Sequence, residues 1–415
     1  MNEHNFTRNR KLTFSCTIIF MMNLLRKSLS IEINGFTDYL RSHGKKSFVW
    51  SSFTSSAYVQ SRKKIKAEVF IKLSSVLIDE FYTDNDLGVK LWKGFRLLAV
   101  DGSTMNLPSS KKLQDTYGYA RNHTGNTTVQ GRVSVLYDVL NQFALDCNLA
   151  PRSSTERELA LDHLKKTRKG DLIVYDRGYY SYEFIKTHVR SNLDFLFRAK
   201  ADLKVVKSFI ASKKNTQTVE ISLGRALLKR ERETIDISPI KIRLVRVELL
   251  GGEIEVLATS LLDIKKYPSK SFKALYFKRW KIETYYDELK NKLKVEHFTG
   301  YSDRAIQQDF HVAILISNIQ SLIVNDLKEE IKIETKNRKW EYKVNTNLSY
   351  GFLKNRILSL FFSDEALELE QIMEELNELF KKHLVPIRPD RFNPRNKTKR
   401  ITKKHKVTKN QRDAI

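Results

Sequence analysis

Two short apolar runs that each end at an aspartate constrain the fold more than any other feature of this chain. The first, Phe95 to Val100, stops at Asp101, and the second, Leu172 to Tyr175, stops at Asp176. Short apolar runs bounded by turn residues predict buried strands. Open α/β sheets place catalytic and metal-binding acids at the carboxyl ends of their central strands. The runs therefore predict an α/β fold with two functional carboxylates, although Asp101 before Gly102 is also an ordinary turn signal.

The segments around these runs supply further parts of a mixed sheet flanked by helices. Val129 to Leu140 and Gln142 to Leu149 predict a hairpin, and Leu193 to Phe197 predicts another buried strand. A helix is expected from about residue 154 to 166, and its exposed side should carry Glu156, Arg157 and Asp162.

A basic, β-rich region from about 200 to 266 separates the second aspartate from the next acidic motif. It contains a Gly251-Gly252 turn between two strand-like runs, which predicts a hairpin. This length is too great for a simple connection, so we expect an inserted subdomain there.

The next motif is the segment from Tyr276 to Lys290, YFKRWKIETYYDELK, which contains neither Gly nor Pro and is predicted to be helical. At about 100° per residue, Tyr276, Arg279, Glu283 and Lys290 fall on one narrow stripe. An acid between two cations suits a carboxylate that works beside bound phosphate. The alternative is a solvated helix face with an ordinary Arg/Glu ion pair.

The N-terminal part of the chain, residues 1 to about 90, is predicted to be an all-helical domain because apolar residues recur there at helical spacing. The run from Phe14 to Leu25 is too short to span a bilayer and predicts a buried helix instead of a signal peptide. A Ser/Thr-rich stretch precedes a basic patch with Arg62, Lys63 and Lys64. This patch is either a DNA contact or a solvated face.

The rest of the chain is expected to divide into three parts. We expect a catalytic domain over residues 91–330, a helical C-terminal region over 331–387 and a basic tail over 388–415. The tail carries almost no acid and few apolar residues, so it is expected to be disordered or to order only on DNA.

Charge indicates the class of partner. The chain of 415 residues has 74 Lys and Arg against 48 Asp and Glu, a net charge of +26, which favours binding to a polyanion, nucleic acid first. No convincing membrane anchor is present, so no membrane partner is expected. Cys16 and Cys147 show no disulfide or zinc spacing, which fits a reducing, cytoplasmic compartment. The nine His are scattered, so any metal must be held by carboxylates.

Asp101, Asp176 and Glu283 brought together would carry about −3 and repel one another unless cations neutralise them. Two Mg²⁺ ions, for which Mn²⁺ can substitute, prefer such oxygen ligands and support phosphoryl transfer. Arg279 and Lys290 would then hold the DNA backbone beside the metals, and Tyr276 would donate a hydrogen bond to a phosphate.

These residues resemble the DDE transposases of bacterial insertion sequences, the insertion-sequence-four type marked by the YREK pattern. Tyr276, Arg279, Glu283 and Lys290 match that pattern in full. Further similar motifs occur in the family's order, and they are LLAVDGS at 97–103, VYDRGY at 174–179, VLATSL at 256–261 and PIRPDR at 386–391.

The resemblance implies an RNase H-like core with a β-rich insertion, and metal-binding catalytic roles for Asp101, Asp176 and Glu283. It also implies an N-terminal domain that binds terminal inverted repeats in double-stranded DNA, and a homodimer in the synaptic complex. Family members cut the element free and join its 3′ ends to target DNA. Some use hairpinned ends and a Trp in the insertion, but the Trp here are at 50, 92, 280 and 340, which leaves the cleavage route open.

Two other functions fit the same residues. An RNase H-like nuclease or resolvase would use the three acids without strand transfer, because hydrolysis and transfer differ only in the nucleophile. A catalytically idle DNA-binding derivative is the other, and the intact acids count against it. A bacterial, nucleoid-associated location follows from the transposase hypothesis.

Overall fold

The structure, a computed structural model, describes residues 6, 12–23, 25, 27–43, 52–84, 88–121, 125–222, 238–249, 252–363 and 365–388. The basic tail predicted over 388–415 therefore lies outside the described residues except for Arg388.

Helices in the described residues are α1 (Phe14–Met22), α2 (Leu29–His43), α3 (Ser55–Arg62), α4 (Glu68–Asp84), α5 (Lys111–Tyr117), α6 (Glu156–His163), α7 (Tyr182–Arg190), α8 (Lys204–Ala211), α9 (Ser271–Phe277), α10 (Trp280–Asp287), α11 (Asp303–Glu334), α12 (Thr346–Phe362) and α13 (Ala366–Lys382). Strands are β1 (Arg96–Asn106), β2 (Tyr119–Arg121), β3 (Thr127–Asp138), β4 (Phe143–Pro151), β5 (Asp171–Tyr175), β6 (Asp194–Arg198), β7 (Thr216–Ile221), β8 (Ile240–Glu248), β9 (Ile254–Thr259), β10 (Glu341–Val344) and β11 (Leu384–Ile387).

The main sheet is mixed, with the order β2-β3-β1-β5-β6-β9-β8-β7 and with β4 paired to β3. Strands β1, β5 and β6 are parallel, and the hairpin of β3 and β4 joins the edge of β1 in antiparallel register. Helices cover the sheet, which confirms the predicted α/β class and the hairpin. The strands β7, β8 and β9 extend the same sheet from β6, so the predicted β-rich region continues the core sheet.

Strand β1 does not end at its acid, contrary to the sequence reading. Its parallel pairing with β5 stops at Ala99, but its antiparallel pairing with β3 continues through Asp101 to Asn106. The Asp-Gly pair lies inside a strand because β3 provides backbone partners there. Asp101 still lies beyond Ala99, the last residue that pairs with β5. It therefore lies at the edge of the sheet where β5 ends at Tyr175 and Asp176 follows.

The long helix α11 packs against α1, α4, β4 and the C-terminal helices. It is long and apolar enough to pass as a membrane span, but 72% of its most apolar window is buried inside the protein, as in a core helix. Helix α1 is also buried, from Cys16 to Met22, which confirms the interpretation of that apolar run as a core helix.

Candidate active site

Asp101 and Asp176 reach the site from neighbouring parallel strands. The register that pairs Leu97 with Leu172 and Ala99 with Val174 holds the two acids at the same edge of the sheet. Asp101 Oδ1 accepts a hydrogen bond from the N–H of Gly102 at 2.9 Å, and Asp176 starts a single 3-10 turn. Asp101 is held inside β1, beyond the residues paired with β5, and Asp176 follows directly after β5 as predicted.

The predicted helix from Tyr276 to Lys290 is broken into three pieces. Helix α9 ends at Phe277, α10 begins at Trp280, and residues 288–292 form a π-helical turn. The four polar residues of the predicted stripe nevertheless face β1 and β5. Tyr276 Oη lies 3.5 Å from Asp176 Oδ1, and Lys290 Nζ donates to Ser103 Oγ and the Thr104 carbonyl at 2.7 Å.

Arg279 connects two of the three acids. Its Nη2 donates to Glu283 Oε1 at 2.9 Å, and its Nη1 lies 3.7 Å from Asp101 Oδ2. The Arg279 side chain is 6% exposed, and its guanidinium lies 5.7 Å from the centre of the Tyr276 ring. Tyr276 in turn contacts Asp176, so all three acids join one continuous polar cluster.

Burial dominates the electrostatics at Asp101. Burial raises the pKa of Asp101 to about 6, although the Gly102 N–H and Arg279 lower it, and the carboxylates of Glu283 and Glu156 raise it further. A carboxyl group with a raised pKa gains most from a cation brought next to it.

The donor set fits a divalent cation, because carboxylate oxygens are the ligands that Mg²⁺ and Mn²⁺ prefer. In the part of the chain that the structure describes, no three His, Cys, Asp or Glu side chains are close enough to hold an ion together. The Arg279 guanidinium lies between Asp101 and Glu283 as their shared cation. An ion held by these acids would therefore replace that guanidinium.

Helix α10 is anchored to β1 beside the acids. Tyr286 Oη donates to the carbonyl oxygen of Asp101 at 2.7 Å, and Tyr285 stacks on Tyr137 of β3 with ring centres 4.6 Å apart. These contacts set the distance between the helix that carries Glu283 and the strand that carries Asp101. Sequence reasoning did not identify either tyrosine as part of the site.

The first turn of α6 is a second feature that sequence reasoning missed. Its Glu156 side chain is 44% exposed, as predicted, but it also packs against Gly102. Arg157 donates twice to the carbonyl of Gly178, at 3.0 and 2.8 Å. This helix therefore contacts both the strand that carries Asp101 and the turn that follows Asp176. No sequence signal gives the facing of a short helix that is half exposed.

The predicted N-terminal DNA contacts lie at the end of α3 and in the turn that follows it, with Arg62 as the last residue of the helix. Arg62 is 4% exposed, and its guanidinium pairs with Asp309 at 2.9 Å and donates to Gln308. This burial corrects the prediction of a DNA contact for Arg62 in the conformation described. Lys63 is exposed and Lys64 half-buried, so both can still reach a ligand.

A cleft of about 410 Å³ opens beside Asp176. Its lining includes Arg177 and Lys200, two cations at the ends of β5 and β6, together with Asp202. Two cations close to Asp176 form a surface suited to a phosphate backbone.

Comparisons with known proteins identify the family of this chain. The sequence profile of the transposase DDE domain matches residues 92–319, more than half of the chain. The chain is 22% identical over 354 residues to the transposase InsG for insertion sequence element IS4 of Escherichia coli K12, covering 82% of this chain and 75% of that protein.

Two solved structures resemble the chain more distantly. The piggyBac transposase synaptic complex with hairpin DNA has 8% identity and a TM-score of 0.40, covering 87% of this chain and 85% of that one. The Drosophila P element transposase strand transfer complex has 9% identity and a TM-score of 0.23, covering 90% and 93%. By the profile match, the chain belongs to the transposase DDE domain family, enzymes that cleave and join DNA with the help of a divalent metal.

Proposed function

We propose that this chain is the transposase of a bacterial insertion sequence. It binds the terminal inverted repeats of its element, cleaves the DNA at the element ends and joins the 3′ ends to target DNA in a cut-and-paste reaction. The observation that carries the proposal is the polar cluster in which Arg279 and Tyr276 connect Asp101, Glu283 and Asp176 at one edge of the sheet.

Asp101, Asp176 and Glu283 are the proposed metal ligands. Two Mg²⁺ ions, or Mn²⁺ in their place, would activate the attacking water or 3′-hydroxyl and stabilise the leaving oxygen. Arg279, released from its two acids, is the proposed clamp on the phosphate next to the scissile bond, because guanidinium binds phosphate as it binds carboxylate. Lys290 and the Tyr276 hydroxyl are proposed to hold the neighbouring backbone.

The remaining parts have proposed roles in DNA binding and assembly. Residues 1–90 would bind the terminal repeats, with Lys63 and Lys64 at the surface. Residues 91–330, with the insertion at about 200–266, would form the catalytic domain, and residues 331–387 would support a homodimer in the synaptic complex. The basic tail would bind DNA without sequence preference, at the nucleoid in the cytoplasm.

The test is an assay of purified protein with Mg²⁺, DNA carrying the ends of its own element, and a plasmid target. Glu283→Gln should bind the ends yet neither cleave nor join them, because it loses a metal ligand at nearly constant shape. Asp287→Asn is the matched control. Asp287 is an exposed acid on the same helix, so this variant should keep full activity.

Each outcome identifies a different function. Undiminished cleavage by Glu283→Gln would rule out the proposed metal ligands. Cleavage without joined products in the wild-type protein would identify a nuclease or resolvase. End binding without any cleavage would identify a catalytically idle derivative. Imperfect inverted repeats bounded by short direct duplications in the flanking DNA are expected only for a transposase.

A further inference from the structure

The turn between β3 and β4 is contacted by lysine-bearing segments that are far apart in the sequence. Lys281 on α10 donates through Nζ to the Val139 carbonyl at 2.8 Å. Lys90, which precedes β1, exchanges two hydrogen bonds between its backbone and the Asn141 side chain, at 2.9 and 3.1 Å. Both lysines are therefore fixed at this turn by the fold.

Helix α11 brings a third lysine to the same turn. Asn325 Nδ2 donates to the carbonyl oxygen of Asn141 at 2.6 Å, which ties α11 to the turn. One helical turn further on, Lys328 Nζ donates to Asn325 Oδ1. The ammonium group of Lys328 is therefore held next to the residues that bind the turn.

The three residues Lys90, Lys281 and Lys328, called the turn lysines below, repel one another. Burial lowers the pKa of Lys328 to about 7, and the positive charges of Lys90 and Lys281 lower it further in that order of size after burial. Glu329 Oε1 lies 3.9 Å from Lys90 Nζ, but the Glu329 side chain is 69% exposed, so solvent screens this pair. An anion that contacts all three ammonium groups would relieve their repulsion.

Asp138 is the acid beneath the turn, and its oxygens already have partners. Oδ1 accepts from the N–H groups of Leu140 and Asn141 at 2.8 and 2.9 Å. Oδ2 accepts from the Asn141 side chain at 2.9 Å and from the Tyr82 hydroxyl. Asp138 is fully buried, and it raises the pKa of Lys328 by less than the neighbouring lysines lower it. This acid holds the shape of the turn and leaves the lysines with excess positive charge.

The excess charge reaches the surface of the molecule. Lys281 is exposed, and Lys90 and Lys328 are half-buried. Lys278, just before α10, and Lys343 of β10 lie close enough to act electrostatically on Lys281. Lysine ammonium groups are compact point charges, which suit phosphate oxygens and do not read the edges of bases. A phosphate backbone is therefore the anion that this surface fits.

We propose that the turn lysines bind the phosphate backbone of double-stranded DNA without sequence preference. The inference rests on the proposed function, which supplies DNA as the partner, and adds a DNA-binding surface outside the cluster of three acids. Lys281 and Glu283 are two residues apart on α10, so they lie about 200° apart around the helix. The surface therefore faces away from the three acids, although the same helix carries both.

Lys328 gives DNA binding at this surface a recognisable pH dependence. At pH 8 most Lys328 side chains are neutral in the free protein, and a phosphate beside them favours the charged form. Binding of DNA should therefore take up about one more proton at pH 8 than it does at pH 6. Lys328→Arg keeps its positive charge at both pH values, so it should bind DNA at least as tightly as the wild type and lose this proton uptake.

The experiment is calorimetric titration of the full-length protein, without divalent metal, with a short duplex whose sequence is unrelated to the element. Buffers of different ionisation heat give the number of protons taken up, and a salt series gives the slope of log affinity against log salt concentration. Lys328→Met and Lys281→Gln should each reduce that slope by about 0.9, the loss of one phosphate contact. Lys241→Gln is the control, because it removes an exposed lysine on β8 and should keep both the slope and the proton uptake.

Thermal melts at pH 6 separate DNA binding from a purely structural role. Lys328→Met should melt at or above the wild-type temperature, because a charged ammonium group among like charges costs free energy in the folded protein. A lysine that serves only to hold Asn325 predicts the reverse, a lower melting temperature with unchanged DNA affinity.

A second titration, with duplex DNA that carries the element's own end, completes the test. Loss of affinity for both duplexes in Lys328→Met and Lys281→Gln supports the inference, and loss for the element end alone overturns binding without sequence preference. If the wild type binds DNA and these variants bind equally well, the turn lysines are not a DNA site and the proposed function stands. If the wild type binds neither duplex, the proposed function fails, and the inference fails with it.

Discussion

At the scale of single residues, the site depends on side-chain contacts that the sequence alone only partly predicts. Gly102 is needed because Glu156 packs on its Cα, not because of backbone strain. Arg279 and Glu283 are four residues apart on neighbouring helical turns, so their contact was predictable from local geometry. The approach of Glu156 to Gly102 was not predictable, because it depends on how α6 lies on the sheet.

Gly102→Ala should lower the free energy of unfolding by about 1–3 kcal/mol, since the new methyl group would overlap Glu156 Cγ. Gly178→Ala is the control. Gly178 lies in the turn after Asp176, where an added Cβ meets nothing within 4 Å. Urea unfolding of both variants provides the measurement, and equal stability of the two would contradict the close contact.

His188 predicts how the stability of the fold depends on pH. It is fully buried, its Nδ1 lies 2.8 Å from the Phe184 carbonyl, and its Nε2 therefore accepts from the Tyr175 hydroxyl. Burial lowers the pKa of His188 to about 4, and it does the same for His311.

The unfolded chain therefore binds more protons than the folded one between pH 6.5 and 4. The stability contributed by each neutral His is present above pH 6.5 and is lost as the pH falls through 4, by roughly 3 kcal/mol per residue. Unfolding titrations at several pH values test this. The stability lost on acidification should be smaller in His188→Gln than in the wild type. An identical pH dependence of stability would contradict a lowered pKa for His188.

At the scale of elements, the helix predicted from residue 276 to 290 shows where sequence reasoning stops. Local propensity supports an unbroken helix, but tertiary contacts divide it. The π turn at 288–292 begins at Glu288, which is held by the Tyr350 hydroxyl of α12, and it directs Lys290 toward Ser103. A partner some sixty residues away in the chain leaves no local signal.

Arg243 on β8 sets the position of α9 and, through it, of Tyr276. It is fully buried, and its guanidinium donates to the carbonyls of Leu261 and Tyr267 and to Ser269 Oγ in the loop before α9. The oxygen atoms of this loop have the guanidinium as a donor only while Arg243 is present.

Arg243→Met should therefore lower the free energy of unfolding by about 3 kcal/mol or more, because buried carbonyls lose their donor. It should also reduce catalytic turnover more than DNA binding. Lys241→Met on the same strand removes an exposed cation and should change little. Chemical denaturation and end-cleavage kinetics check both effects, and a stable, fully active Arg243→Met would refute the role of the loop.

At the scale of the whole molecule, α11 joins the N-terminal helices to the catalytic sheet. Asn318 at its centre accepts from the Ala144 N–H and donates to the Ala144 carbonyl and to Ser74 Oγ, so one amide connects β4 and α4. The Arg62–Asp309 pair connects α3 to the same helix. A basic patch and a single amide in the sequence do not reveal such distant partners.

Asn318→Leu should lower the free energy of unfolding by about 3 kcal/mol, because it leaves buried groups of Ala144 and Ser74 without partners. Glu329→Leu is the control at an exposed position of the same helix. It also replaces a polar side chain by Leu, but it leaves no buried group without a partner. Thermal unfolding should show one cooperative transition shifted downward for Asn318→Leu alone. An unshifted transition in Asn318→Leu would mean that this amide does not couple the N-terminal helices to the sheet.

If Asp101 and Glu283 are metal ligands as proposed, Arg279 between them competes with a soluble cation for the two carboxylates. Metal affinity is then reduced by the fraction of molecules in which the guanidinium occupies the acids. A DNA phosphate that attracts Arg279 removes this competition, so metal and DNA each raise the affinity of the protein for the other. Free transposase would accordingly hold its catalytic ions weakly and gain them at the DNA end where they are used.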